Sequence, residues 1–399
     1  MSQSRLLNIL RSASPARKIL QLPPADMGLD DDREPFPFLA IVGQEEMKLA
    51  LVLAVINPHV GGVLLIGSRG TAKTTAVRAL PDLLPTVQRS LCPEGRGCTE
   101  EMITTGGMHA VCHACATRFG YGQPLTAVER VRLVELPLNA RLADVVGSLN
   151  ERVALEQQRV RLDPGILAQA DANILYIDEV NLLEGAVMDA ILDAAAQGAY
   201  TVRRGPLNLT YRARFVLIGS MNPEEGALRP QLMDRFGLRA VARGLPHSSD
   251  RYQAYERALW YKQDPVGLAA AYAEQTLALA AEINQARTLL PRVRLSQSAQ
   301  EVGLRLIESL HIDSNRAEIT LFEAARAYAA AAGQEIAQPS DVRAVALLSL
   351  RLRQSPLLNE FFRAQAAEDA QLQAELARMV GAFPLDDSAL QPALNLSAE

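Results

Sequence analysis

The sequence predicts an α/β fold, a parallel sheet covered by helices on both faces, followed by an all-α domain. Three observations predict it. Four short runs, Val63–Ile66, Arg132–Leu136, Ile174–Ile177 and Phe215–Ile218, are apolar but for Arg132 and Glu135, as suits parallel strands buried on both faces. Helical stretches alternate with these runs up to about residue 245, the pattern of a helix-covered sheet. After Pro246 strand-like runs become scarce, and Ala, Leu, Glu, Gln and Arg dominate through residue 353, which are good helix formers.

Taken in order, residues 1–37 read as a flexible N-terminal arm. Pro23-Pro24, the acidic run Asp30 to Asp32, Pro35 and Pro37 make an extended, solvated linker. The first 25 residues are basic and contain serine, with no acid before Asp26. That composition suits a bacterial arm and also an organellar transit peptide. Order is expected from Phe38, with an α/β domain over 38–245 that carries a cysteine-rich insertion at about 90–120. A helical domain follows over 246–355, with Ser248, Ser249 and Asp250 offering its first N-cap, and Ala324, Ala325, Tyr328 and Ala329 recurring at helical spacing. Residues 356–399 form a helical or flexible tail.

Composition narrows the function. The 399 residues carry 49% hydrophobic and 21% charged side chains, which excludes wholesale disorder. A net charge of −5 gives no electrostatic drive toward nucleic acid or an anionic membrane. The best apolar run, Leu49–Ile56, is far shorter than the roughly 20 residues a spanning helix needs. A soluble protein of the bacterial cytoplasm is expected.

The chemistry begins after the first strand. Gly67, Ser68, Arg69, Gly70, Thr71, Ala72, Lys73 and Thr74 follow Val63–Ile66 and open a helix expected to run through Leu80. Strand, glycine loop and helix in that order form a phosphate-binding loop, in which amide groups at the helix N-terminus receive phosphate oxygens. Lys73 would reach the β- and γ-phosphates of ATP, and the Thr74 hydroxyl would bind its Mg²⁺. Ala72 stands where the standard pattern has glycine. Alanine disfavours positive φ, so a helical or extended backbone is expected there. At the end of the third strand, Asp178 would hold Mg²⁺ through water and Glu179 would orient or deprotonate the attacking water. Asn222, after the fourth strand, would position that water from next door, or else simply form the turn before Pro223.

Phosphate loop, Asp178-Glu179, Asn222 and a helical lid in this order resemble an AAA+ ATPase. More narrowly, Leu136-Pro137-Leu138-Asn139, Asp144-Val145-Val146-Gly147, Asp163-Pro164-Gly165-Ile166-Leu167, Tyr176 to Leu183, Asn222-Pro223-Glu224-Glu225-Gly226 and Leu228 to Gly237 are similar to strings of the ATPase (I) subunit of magnesium chelatase. The resemblance spans about residues 38 to 355. It implies an AAA+ phosphate-loop sheet sandwiched by helices with hairpin insertions, then an all-α lid. Related minichromosome-maintenance helicases carry alanine at the position of Ala72. The segment Tyr200 to Thr210 would be the hairpin of this clade, turning at Gly205-Pro206. Arg235 would be an arginine finger for a neighbouring subunit, with Arg229 as a second choice, and Arg316 the sensor arginine touching the γ-phosphate of its own chain. Outside that context, each arginine reads as a surface ion pair.

Lys73 and Asp178 are 105 residues apart (178 minus 73), about twice what the fold needs. The resemblance assigns part of the excess to a helix-two insertion around Asp144 to Val160, facing a partner or the ring pore. Another part holds all four cysteines: Cys92, Cys98, Cys112 and Cys115. Four thiolates can close a tetrahedral Zn²⁺ site, and the C-x2-C half supplies two ligands from one turn. The five-residue first spacing is wider than usual, with His109 and His113 as substitutes. An iron–sulfur or redox-active cluster and plain free thiols stay open, while an intracellular ATPase argues against structural disulfides.

The resemblance implies a self-associating ring, expected as a hexamer, that uses ATP and Mg²⁺ to drive a D subunit with an integrin-like domain. Together they would power the porphyrin-binding H subunit as it inserts Mg²⁺ into protoporphyrin IX for chlorophyll or bacteriochlorophyll. Two rivals remain at this point. One is a chelatase-like ATPase serving cobalt insertion or metalloprotein maturation. The other is a DNA translocase, for which Arg203 and Arg204 are the one obvious basic pair on the hairpin.

Overall fold

Short apolar strands need cover on both faces, and the computed structural model supplies it. Residues 5–12, 34–150, 162–204, 207–226, 228–353, 369–375 and 378 are described. Five parallel strands, β1 (Val63–Ile66), β2 (Leu133–Leu136), β3 (Ile174–Ile177), β4 (Val216–Met221) and β5 (Leu238–Val241), lie in the order β5-β1-β4-β3-β2. Val63 is level with Ile218 and with Leu238, and Val216 with Ile174. Alternation sorts the side chains. Val63, Leu65, Ile174, Tyr176 and Ile218 pack in the core that includes helix Glu45–Ile56, while Leu64, Ile66, Leu175, Ile177 and Leu217 pack in the core that includes helix Gly185–Gln197.

Several expected boundaries shift. β4 starts at Val216 and runs three residues past Ile218, which carries the chain straight into Asn222. The phosphate-loop helix is Lys73–Arg78, and Pro81 opens a separate 3₁₀ turn, so the helix stops short of Leu80. β5 is absent from the sequence reading because Leu-Arg-Ala-Val puts an arginine mid-strand. Arg239 is nonetheless fully buried, donating to the carbonyls of Met233 at 2.7 Å and Arg351 at 2.5 Å. Three carbonyl and carboxylate partners make that burial possible where an unpaired charge would forbid it.

The long gap between Lys73 and Asp178 is filled by two additions. An antiparallel pair, Val87–Ser90 with Thr126–Glu129, carries the cysteine segment. A first hairpin pairs Gly147–Leu149 with Leu162–Pro164, and its connection, residues 151–161, lies outside the described residues with most of the expected helix-two insertion. A second hairpin pairs Ala199–Arg204 with Leu207–Arg212, where the sequence places it, with Gly205 and Pro206 outside the described residues.

The lid contributes helices Ser248–Gln263, Pro265–Leu289, Gln297–Ser309, Arg316–Ala331 and Pro339–Leu350. Ser248, Ser249 and Asp250 lie inside the first turn, since His247 occupies the cap position without a side-chain bond. Within the expected arm, Arg5–Ser12 is a helix whose Leu6 and Leu10 join the main core. Residues 13–33 and most of the tail lie outside the described residues, with 369–375 helical. Among the described residues, no helix is long and apolar enough to cross a membrane.

One carboxylate ties lid to sheet. Asp234 accepts from Arg353 at 2.7 Å and from the Ser314 hydroxyl at 2.9 Å, with Arg239 at 3.8 Å and Arg316 at 3.6 Å. Arg353 reaches further, to Gly237 O at 3.1 Å and the Thr320 hydroxyl at 3.2 Å. Burial works against the charge on Arg239 and Arg353, and Asp234 works for it. Asp234→Ala leaves two buried guanidiniums without their counter-ion, so the expected loss is about 3 kcal/mol of stability. Denaturant unfolding measures it, and a midpoint unchanged from the parent contradicts the role.

Candidate functional site

Because all five strands run the same way, the loops after β1, β3 and β4 meet at one end of the sheet. One pocket there is lined by Arg69 to Thr75, Asp178, Glu179, Ser220, Met221 and Asn222. The structure therefore brings the phosphate loop, the acidic pair and Asn222 together, as the sequence expects. Gly67 packs so closely that a Cβ would stand 2.2 Å from Ala242 O on the strand beside it.

Ala72 departs from expectation. Its backbone is left-handed, with φ 62° and ψ 22°, a conformation that costs an alanine about 1 kcal/mol. The loop's own bonds hold it in place: Lys73 Nζ donates to Gly67 O at 2.7 Å and Ser68 O at 2.9 Å, and the Thr71 hydroxyl to Ser68 O at 2.9 Å. Burial pulls the Lys73 pKa down, opposed by the charges of Asp178, Glu225 and Glu179. The ammonium thus faces three carboxylates without a direct ion pair to any, and is available to a phosphate anion.

Two residues to which the sequence assigned no role hold Asp178, and one of them joins it to Thr74. The Tyr176 hydroxyl donates to Asp178 Oδ1 at 2.9 Å and lies 3.0 Å from the Thr74 hydroxyl. Ser220 Oγ donates to the same Asp178 oxygen and accepts from Glu179 N–H at 3.2 Å. Burial pushes the Tyr176 phenol up to about 12, so it stays a donor. A strand tyrosine reads as core, and only the register of β3 beside β4 brings its hydroxyl under the loop.

Glu179 also sits in left-handed backbone, at φ 52°, a strain that collects at working sites. Its carboxylate is 3.3 Å from Arg69, which also reaches Glu225 at 2.6 Å. Asn222, almost fully buried, donates to Glu225 at 3.2 Å and accepts from Glu224 N–H at 3.3 Å. Glu225 is another residue that the sequence reading gave no role.

A second cavity of about 600 Å³ adjoins the loop, sharing Gly70, Thr71 and Ala72 with the first. Phe36, Ile41, Val42 and Leu245 give it an apolar wall, and Arg251 and Tyr261 close it from the lid. Its size and lining suit a nucleoside beside its phosphates. No motif marks it, since its walls come from segments more than 200 residues apart.

The arginines lie elsewhere. Arg235 and Arg316 line one cleft with Gly61 and Phe215, residues that precede β1 and β4, at the amino end of the sheet. Arg235 is 2.7 Å from Asp193 and 3.8 Å from Asp189. Arg316, expected to touch the phosphates of its own chain, is beside Asp234 at the opposite end of the strands from the phosphate loop. That corrects the cis role: the lid helix starts at Arg316 and aims it away. Arg229 packs its guanidinium against Gly185.

The four cysteines do converge. Their Sγ atoms all lie within 4.8 Å of one another, with Cys92 and Cys112 3.6 Å apart and the Cys112 N–H donating to Cys98 Sγ at 3.4 Å. Cys98, Cys112 and Cys115 are buried. The hydrogen bond from Cys98 holds the Cys92 thiol well below the ordinary range, whereas that bond raises Cys98, and burial raises Cys112 and Cys115. His109 and His113 are not part of the group.

The chain is similar in sequence to known proteins. Residues 37–104 and 149–234 match the family described as magnesium chelatase, subunit ChlI, and residues 305–375 match the AAA lid domain. The family match is interrupted over 105–148, the stretch holding Cys112 and Cys115. The magnesium-chelatase subunit ChlI homolog of Methanocaldococcus jannaschii is 40% identical over 323 residues, covering 80% of this chain and 86% of that protein. The magnesium-chelatase 38 kDa subunit of Acidiphilium rubrum is 41% identical over 324 residues, covering 81% and 92%. A crystallised candidate ATPase from Cytophaga hutchinsonii is 17% identical with a TM-score of 0.50, over 79% of this chain and 83% of that one. That likeness concerns the fold alone.

Tyr176→Phe removes the one hydroxyl that bridges Thr74 and Asp178 without altering the ring's packing. Loss of such a supporting bond is expected to raise the Mg²⁺ concentration that half-saturates nucleotide turnover about tenfold. A magnesium titration reads this, and an unchanged half-saturation point contradicts the bridge.

Proposed function

This chain belongs to the magnesium chelatase ChlI family of AAA+ ATPases, and we propose that it works as the ring-forming ATPase subunit of a magnesium chelatase. The observation that carries the reading is the separation of the site into two halves. Phosphate loop, Asp178, Glu179 and Asn222 stand at the carboxyl ends of the strands, and Arg235 with Arg316 at the amino ends. Within one chain they cannot meet. In a head-to-tail ring each subunit's arginine cleft faces its neighbour's phosphate loop, and turnover follows assembly.

The residues fit ATP with Mg²⁺. Oxygen donors from a hydroxyl and a carboxylate suit a hard cation, the helix N-terminus at Lys73 suits phosphate, and the apolar cavity beside it suits the base. Asp178 and Thr74, held by Tyr176 and Ser220, would hold Mg²⁺, which would neutralise charge on the phosphates. Lys73 leaves the carbonyls of Gly67 and Ser68 for the β- and γ-phosphates. Phosphate also competes for Arg69, which frees Glu179 to accept a proton from water that Asn222 helps to orient. From the neighbouring chain, Arg235 stabilises charge developing on the γ-phosphate, with Arg316 beside it.

By family, the ring, expected as a hexamer, drives a D subunit with an integrin-like domain and an H subunit that inserts Mg²⁺ into protoporphyrin IX. In the same reading the four thiols hold one structural Zn²⁺. Zn–S bonds of about 2.3 Å in a tetrahedron put sulfurs about 3.8 Å apart, and the 3.6 Å between Cys92 and Cys112 suits that spacing.

Arg235→Ala should keep ATP binding while turnover falls about 10³-fold, and Lys73→Ala should lose both. Equilibrium nucleotide binding and steady-state turnover separate the two; an Arg235→Ala ring with parental turnover refutes the finger. Mixed with D and H subunits, the parent chain should support ATP-dependent Mg²⁺ insertion into protoporphyrin IX, followed by fluorescence. An active ATPase that supports no insertion overturns the chelatase assignment.

A further inference from the structure

The loop Cys92 to Cys98 does more than close the thiol group. Its ends are two of the four thiols, and its middle is wedged against both hairpins. At Gly95, φ 66°, a Cβ would stand 2.7 Å from Pro164, the last residue of the first hairpin. At Gly97, φ 72°, a Cβ would stand 2.7 Å from the side chain of Arg212, the last residue of the second. Both positions combine close approach with left-handed backbone, which restricts them to glycine. Arg212 answers the contact by donating to Gly97 O at 3.1 Å, and its guanidinium lies 3.6 Å from Asp171. Asp171 in turn accepts from the Arg214 N–H at 3.0 Å. Arg212 thereby ties the loop to the base of the second hairpin, and Asp171 holds that base in turn.

The hairpins are also joined to each other. Leu162 of the first and Val202 and Tyr211 of the second form a small buried core, with the rings of Tyr200 and Tyr211 stacked at 5.3 Å. The cysteine segment has little apolar support of its own. Besides three cysteines, only Val111 and Leu125 are buried in its cluster, too few to order a segment of this length against its chain entropy.

We propose that a zinc ion on Cys92, Cys98, Cys112 and Cys115 is the anchor that fixes the Cys92–Cys98 loop between the two hairpins, so that the state of the four thiols sets how firmly both hairpins are held to the ATPase body. This rests on the zinc reading above. The hairpins project from the same body whose other loops bind nucleotide, so the anchor tunes how nucleotide-driven movement reaches whatever the hairpins touch. Loss of the metal becomes an input to coupling that leaves the phosphate loop untouched.

The test uses the full chain, reduced, with metal analysis and hydrogen exchange read by mass spectrometry. One zinc per chain is expected. On chelation of the zinc, amides of Ala199–Arg204, Leu207–Arg212 and Leu162–Pro164 should exchange about tenfold faster or more, while β1, β3 and nucleotide affinity hold. Restored zinc should reverse the change. Zinc that leaves without any change in hairpin exchange overturns the anchor and spares the zinc site. A chain with no zinc and reduced thiols, or with the four thiols found as two disulfides, overturns the zinc site itself. If chelation unfolds the whole chain, Gly97→Val decides: it should keep its zinc and still show faster exchange at Ala199–Arg212, and parental exchange there refutes the wedge.

Discussion

Everything in this molecule depends on five strands pointing the same way. A parallel sheet has chemically different ends, and the strands here are only four to six residues long. Their carboxyl ends converge on the loop that would hold phosphate, while the residues just before β1, β4 and β5 form a cleft at the other end. Strand direction alone therefore divides Lys73, Asp178, Glu179 and Asn222 from Arg235 and Arg316, on two separate surfaces of one chain.

The second layer of organisation couples those surfaces to the lid. Asp234 precedes Arg235 and is held by Arg353 and Ser314 from the lid and by Arg239 from β5. Moving the lid thus moves the immediate neighbour of Arg235. The lid also supplies Arg251 and Tyr261 to the cavity beside the phosphate loop. One domain consequently contacts both halves of the site, which gives a physical route from nucleotide binding in one chain to arginine placement beside the next.

Legibility of the sequence followed the range of the interactions involved. Val63–Ile66 and Ile174–Ile177 were readable because burial on both faces forces continuous apolar residues. The phosphate loop and the acidic pair were readable because their chemistry is local to a few residues. β5 was not, since Arg239 satisfies its charge through partners from Met233 to Arg351, far apart in the chain. Tyr176 and Ser220 were missed for a related reason: their roles come from strand register and not from spacing. Glu225 meets Arg69 only through the folded turn after β4. Ala72 shows the limit of propensity, because bonds from Lys73 and Thr71 hold a backbone that alanine alone would avoid. The direction of Arg316 depends on where its helix begins, which sequence pattern fixes only loosely.

If each working site is shared by two chains, as proposed, two inactive variants should restore one another when mixed. Chains with Lys73→Ala retain the arginine cleft, and chains with Arg235→Ala retain the phosphate loop. Combined in one ring, they create interfaces that pair an intact loop with an intact arginine. The account predicts that ATP turnover of the mixture rises well above that of either variant alone. Turnover no higher than the sum of the two separate variants, in rings shown to contain both, would contradict it.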